Sequence, residues 1–265
     1  KTTTSNTMYL NSHSYYSLRY GTYSIDALVE EALKRKIEAM VLTDINNSSG
    51  MIDFVKICKV HGVKPIGGME FRNNDELLFT GIARNNNGFR ELNEYMSAIN
   101  LKEKKYTSLA PEFNAVYIIY PFGNTIGHRL KNNEFIGVKP SQIHKLLTLS
   151  KRKLTKMVIQ QPVTFSDKKT WYLHKNLRAI NHNILLSQLT PHMYAPQDEV
   201  FIPEADIITA FEQYPQIIKN TQDIIADCEI DFDYDSSKNK QTFTGSRYDD
   251  KILLEKLAYD GMQYR

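Results

Sequence analysis

Three residues able to hold a divalent cation close three successive apolar runs: His13 ends "MYLNSH", Asp44 ends "AMVLTD" and Glu70 ends "VKPIGGME". One imidazole and two carboxylates facing the same space can bind a single ion of manganese, zinc or magnesium. Such an ion turns water into a nucleophile at neutral pH. The same residue types also have plainer uses, because an Asp at a strand end commonly caps the next turn and a lone His is usually just hydrogen-bonded. Spacing alone leaves both readings open. His128, His144, His174, His182 and His192 fall at no ligand spacing. Cys58 and Cys228 are far apart with no CxxC pattern, so neither a zinc ribbon nor a disulfide framework is indicated, and a reducing cytoplasm is expected.

These residues need a scaffold that brings strand ends together. From the start to about residue 190, short apolar runs alternate with helical patterns, which predicts an α/β architecture built from βαβ units. Ser24 can cap a helix whose buried stripe is Leu28, Val29, Ala32 and Leu33. A second helix, from about Ser49 to His61, is expected to bury Ile52, Phe54, Val55 and Cys58. "LLFTGIA", "AVYIIY" and "KMVIQQPV" read as later strands, and 121–140 carries no clear assignment. From Lys168 onward the pattern is helical. A polar break, "YDSSKNKQTFTGSR", then precedes a final helix with an apolar face at Ile252, Leu253, Leu257 and Met262. In βα barrels reactive groups sit at the C-terminal ends of the strands, so His13, Asp44 and Glu70 would share one rim.

The chain has 265 residues, 42% hydrophobic and 24% charged, enough for a full core and unlike a disordered composition. A net charge of +3 does not by itself argue for nucleic acid. The basic runs "LKEKK" (101–105, beside Tyr106) and "SKRKLTK" (150–156) read as solvated faces. No apolar run reaches the ~20 residues of a membrane helix, so no membrane contact is expected. Asp231, Asp233 and Asp235 in "EIDFDYD" imitate a magnesium-binding DxD element, but a polar linker follows them, so a strand face or solvated loop is the better account. Trp171 and Tyr172 are expected in the core.

"MYLNSHSYYSLRYG", "VLTDINNSSGMIDFVKICKVHGVKPIGGMEF" and "GIARNNNGFRELN" resemble the N-terminal PHP (polymerase and histidinol phosphatase) domain of bacterial DNA polymerase III alpha subunits. "FEQYPQIIKNTQDIIADCEIDF" is similar to the helical stretch that follows the barrel in those polymerases, and "LLEKLAYDGMQYR" to the helix leading into their palm. The resemblance covers nearly the whole chain from Met8. It implies a distorted (β/α)7 TIM-like barrel followed by a helical extension, with a His-rich rim binding up to three metal ions for phosphoester hydrolysis.

Position by position, that rim is degenerate. The opening HxH reads Asn11-Ser12-His13, the acidic residue before Gly21 is Tyr20, and the TDH motif ends in Ile45. The histidine before "FTGIARN" becomes Leu78, and the late NDxH element falls on Gln161-Pro162-Val163-Thr164. His13, Asp44 and Glu70 are the vestigial ligands, while Asn11, Tyr20, Ile45, Leu78, Pro162 and Thr164 are lost positions. No catalytic residue and no metal or other cofactor is expected in this fragment, with magnesium reserved for the parent polymerase. The alternative is a single-metal phosphoesterase or 3′–5′ exonuclease.

The expected organisation is a tag or disordered N-terminus at 1–7, the barrel at 8–190, a helical extension at 191–235, and a linker and first palm-directed helix at 236–265. The expected role is that of a structural and interaction module in DNA replication. Its partners would be the remaining polymerase domains of the same chain, DNA through the parent, and in this family a separate proofreading exonuclease subunit. On this reading Glu70→Gln leaves folding unchanged.

Overall fold

A computed structural model describes residues 8–123, 129–236 and 242–264. The "KTTTSNT" segment and His128 lie outside the described residues. The chain divides after Phe232 into two compact units.

In the first unit, β1 (Asn11–Ser12), α1 (Ile25–Lys34), β2 (Ala39–Leu42), α2 (Met51–Val60) and β3 (Lys64–Asn73) follow the expected alternation. The Ser24 side chain accepts from the Ala27 N–H and so caps α1, whose Leu28, Val29 and Ala32 are buried. In α2 the buried stripe is Met51, Phe54, Val55 and Cys58, and Ile52 is exposed. Met51 carries the i, i+3, i+4, i+7 spacing with the other three, whereas Ile52 falls off that face.

β3 and β4 (Glu76–Ala83) form an antiparallel hairpin, turned at Asn74 with φ +54°. No helix separates them, so the βαβ alternation is interrupted at this point. A run of ten strand residues ended by an Asn-Asp pair makes a hairpin without a crossover. The register shifts between Phe71 and Arg72, which face Phe79 and Leu77, so Leu78 is the extra residue of a bulge on β4.

α3 (Asn86–Leu101) follows, capped by Asn85, and β4 then pairs antiparallel with β5 (Val116–Pro121). β6 (Glu134–Val138) lies in the stretch the pattern left unassigned and pairs parallel to β5. Beyond the short α4 (Lys151–Leu154), β7 (Met157–Ile159) pairs with β6, and β8 (Pro162–Val163) pairs with β1.

The order β2-β3-β4-β5-β6-β7 is a curled sheet, and the β1–β8 pair spans its two ends. The Thr43 N–H donates to the Ser12 carbonyl on one side, and the His13 N–H donates to Val163 on the other. The run 157–163 thus contributes to both sheets. This is the distorted, TIM-like α/β barrel that the sequence implies, with its irregularity at the two antiparallel pairings around β4.

Leu10, Val41, Ile66, Ile82, Ile119 and Val158 form one buried cluster along the strands. Ile224, Ile225 and Cys228 join it from the end of α7 (Pro215–Asp227). Asn220 of α7 donates to the Met157 carbonyl at 2.8 Å and Thr221 accepts from the Ile159 N–H at 2.8 Å, so the helix completes the hydrogen bonding of β7. α5 (Lys168–His182) begins at Asp167, whose side chain accepts from Thr170. It buries His174 and Arg178, leaves Trp171 half-buried, and exposes Tyr172, contrary to the core placement expected for that tyrosine. α6 (Glu204–Ala210) packs through Ile207.

Tyr106 is core, with its ring edge-on to Phe71 and tilted against Tyr95. Asp231 lies outside any strand and pairs with Lys59.

The second unit contains α8 (Arg247–Tyr264), whose Asp250 carboxylate accepts from the N–H groups of Phe243 and Thr244. None of its residues is buried. Among the described residues no helix is long and apolar enough to cross a membrane.

Candidate functional site

The C-terminal ends of β1, β3, β6 and β8 surround a cleft of about 230 Å3 that contains Asn11, His13, Glu70, Arg72, Lys139 and Glu199. His13 and Glu70 meet there: His13 Nε2 lies 3.2 Å from Glu70 Oε2, both side chains being about 1% exposed. Asn11 donates to the same carboxylate oxygen at 2.7 Å, and Thr43 donates to the Asn11 carbonyl at 3.0 Å. The amide in the first position of the expected HxH thus orients Glu70.

Asp44 does not join them. Its carboxylate accepts from the Ser14 N–H, the Ser14 hydroxyl and the Ser17 hydroxyl, each at 2.7 Å. Ser17 in turn accepts from the Ile45 N–H. Burial pushes the Asp44 carboxyl up, partly countered by the Ser17 and Ser14 hydrogen bonds. Asp44 closes the loop after β1 and is absent from the cleft lining.

Two cations take the space between the carboxylates. Arg72 Nε pairs with Glu70, and Lys139 Nζ lies 2.8 Å from Glu199. Burial alone would raise the Glu70 carboxyl, but the Arg72 and His13 charges outweigh it and hold Glu70 well below the usual carboxylate range. Glu199 behaves likewise, with Lys139 and then His13 overcoming the effect of burial. Thr164 donates to Glu199 at 2.7 Å, so its oxygen must accept from Nδ1–H of His13, 3.0 Å away. That assignment leaves His13 Nε2 facing the cleft as the one buried side-chain polar atom, among the described residues, without a hydrogen bond.

The remaining lost positions divide between cleft and core. Pro162 lines the cleft. Leu78 does not: it belongs to the main hydrophobic cluster, and the bulge that it forms leaves Leu77 lining the cleft instead. Ile45 and Tyr20 belong to a small apolar cluster with Phe165 and Ala195. The Tyr20 ring lies edge-on to both His13 and His174, beneath the Arg72 guanidinium at 4.5 Å. His174 accepts from the Ala195 N–H at 2.8 Å and donates to the Tyr20 carbonyl at 2.7 Å. A carbonyl can only accept and an amide N–H only donate, so this imidazole is held neutral, its pKa lowered to about 4 chiefly by burial.

A metal group of the family's kind does not fit this rim. His13 Nε2 faces Glu70 at 3.2 Å, Glu70 and Glu199 each already hold a cation, and Asp44 is turned away. Among the described residues no three His, Cys, Asp or Glu side chains are arranged to hold an ion. Sequence reading missed Glu199, Lys139 and Arg72. Arg72 had a signal, since it stands two residues beyond Glu70 and so on the same strand face.

Residues 10–128 match the family model for the PHP domain. The chain is 25% identical over 97% of its length to DNA polymerase III subunit alpha of Halalkalibacterium halodurans, covering 26% of that protein. It is 36% identical over 44% of its length to the Ureaplasma parvum protein of the same name, covering 12% of it. An error-prone DNA polymerase of Symbiobacterium thermophilum is 23% identical over 97% of the chain, which covers 28% of that polymerase. The chain therefore spans about a quarter of the length of the relatives it matches from end to end.

Proposed function

We propose that this chain is the PHP portion of a bacterial DNA polymerase III alpha-type subunit, and that its barrel no longer hydrolyses phosphoesters but serves as a structural and interaction module in DNA replication. The observation that carries this reading is the pairing of each rim carboxylate with a protein cation, Glu70 with Arg72 and Glu199 with Lys139. Such pairs supply positive charge at the positions where hydrolysis would require metal ions, and they generate no nucleophilic water.

On this reading residues 8–190 are the barrel, 191–235 its helical extension and 236–265 the link to a polymerase palm. The partners are the remaining domains of the same chain, DNA through the parent, and a proofreading exonuclease subunit. The setting is the cytoplasm, and the parent polymerase uses magnesium.

A second reading is supported by His13 Nε2, which makes no hydrogen bond and faces Glu70 at 3.2 Å: a single ion of manganese, zinc or magnesium held there, with residual phosphoesterase or 3′–5′ exonuclease activity. Hydrolysis of bis(p-nitrophenyl) phosphate in excess manganese separates the two. The structural reading expects no turnover above the protein-free blank. Manganese-dependent turnover that disappears in His13→Gln establishes the second reading.

A further inference from the structure

A second pocket opens on the other side of the Arg72 guanidinium, with a volume of about 290 Å3. It is lined by Arg72, Arg178, the carboxamides of Asn47, Asn74 and Asn181, and Tyr16, and by no carboxylate. The cleft described above contains Glu70, Asp75 and Glu199. The two spaces therefore differ sharply in charge although they share one arginine.

Both guanidiniums are fixed. They flank the buried Tyr20 ring, with Cζ of Arg72 4.5 Å and Cζ of Arg178 5.4 Å from its centroid. Arg178, only 6% exposed at its side chain, is held by Asp75 and by the Met193 carbonyl at 2.8 Å. Arg72 is held by Glu70 and by the Tyr20 hydroxyl at 3.1 Å. These partners engage Nε and Nη2 of each arginine. No hydrogen bond among the described residues uses either Nη1, or the NH2 groups of Asn47, Asn74 and Asn181.

We propose that this pocket binds a nucleotide phosphate. Its unused donors come from β3, the β3–β4 turn, the loop after β2 and α5, so they approach from several directions. That arrangement suits a tetrahedral oxyanion better than a planar carboxylate. The pinned guanidiniums lose little freedom on binding. Tyr16 brings an aromatic ring to the lining beside these donors. The volume lies near the ~300 Å3 lower end of small-ligand pockets, which suits one nucleotide unit. The phosphate can belong to a free nucleoside monophosphate or to a single strand of nucleic acid. The inference goes beyond the structural reading and does not depend on it, because binding is read without hydrolysis.

The test is fluorescence anisotropy of a fluorescein-labelled oligothymidylate titrated with the full 265-residue chain, with thymidine 5′-monophosphate and unlabelled oligothymidylate as competitors. Saturable, salt-sensitive binding is expected. Displacement by the monophosphate identifies a free-nucleotide site, and displacement by the oligonucleotide alone identifies a strand site. Arg72 and Arg178 also support the fold, so the decisive variant is the double change Asn74→Asp with Asn181→Asp. Both residues are exposed, and Asp tolerates the positive φ at position 74. Affinity is expected to fall about tenfold, equivalent to about 1.4 kcal/mol. The same charge change at Asn87 and Asn132, outside the pocket, should leave affinity within about twofold, well under 1 kcal/mol. Absence of saturable binding by the unaltered chain, or equal affinity losses in the two double variants, overturns the proposal.

Discussion

Replacing Arg72 with methionine is expected to lower the unfolding free energy by about 3–5 kcal/mol, read from the shift in urea midpoint at constant slope. Among the described residues the guanidinium is the only arginine or lysine group paired with Glu70. Its removal leaves a carboxylate that is 1% exposed with Asn11 and His13 alone. The buried charge must then be tolerated, or neutralised by taking up a proton, and both cost stability. Arg72 also covers the Tyr20 ring, so the variant loses packing as well as charge.

The same geometry reverses the expectation that Glu70→Gln is silent for folding. That change strands the guanidinium, whose own proton is held more tightly than usual because the attraction of Glu70 exceeds the opposing effect of burial. Removing both members, as Arg72→Met with Glu70→Met, should recover much of the loss, since an apolar pair of similar volume often replaces a buried ion pair at little cost. An Arg72→Met change of less than about 1 kcal/mol would mean that water reaches Glu70 freely and that the pair does not hold the rim.

The second large effect concerns His174. His174→Phe is expected to cost about 2–4 kcal/mol at neutral pH, because the Ala195 N–H and Tyr20 carbonyl both lose their partner inside a closed core. The imidazole pKa is about 4 in the fold against 6.5 for the free side chain, so the unfolded chain binds the extra proton between those values. Stability from this group is therefore complete above pH 6.5 and is lost as pH falls toward 4, by about 3 kcal/mol at most. The gap between the unaltered chain and His174→Phe should accordingly narrow across that window.

Comparing the two proteins isolates the effect from other titrating groups. Glu204 is pushed up to about 7 by burial and acts with the opposite sign, gaining stability as pH falls. Its contribution is common to both chains. A gap independent of pH would contradict the neutral, doubly bonded imidazole.

The barrel was legible because its signals are local and repeated. Apolar runs bounded by polar residues marked most strands, and Ser24 sits where a cap should. Three strand ends were read in the right order, but Asp44 turned away because Ser14 and Ser17 come from a different segment, and nothing near Asp44 announces them. Glu199 was invisible for the same reason. It reaches the rim from the loop before α6, where a Glu among polar residues looks like any solvated loop. The bulge that places Leu77 in the cleft in place of Leu78 depends on pairing geometry, which sequence spacing does not encode. Local patterns thus specified the frame, while the charge pairs that define the rim are long-range.

On the proposed reading, protein cations occupy the rim where metals would be needed. Equilibrium dialysis of the chain against manganese, followed by elemental analysis, tests it most directly. The expected result is far less than one ion per chain, with no change when chelator is added. One tightly held ion per chain, lost in His13→Gln, would contradict it.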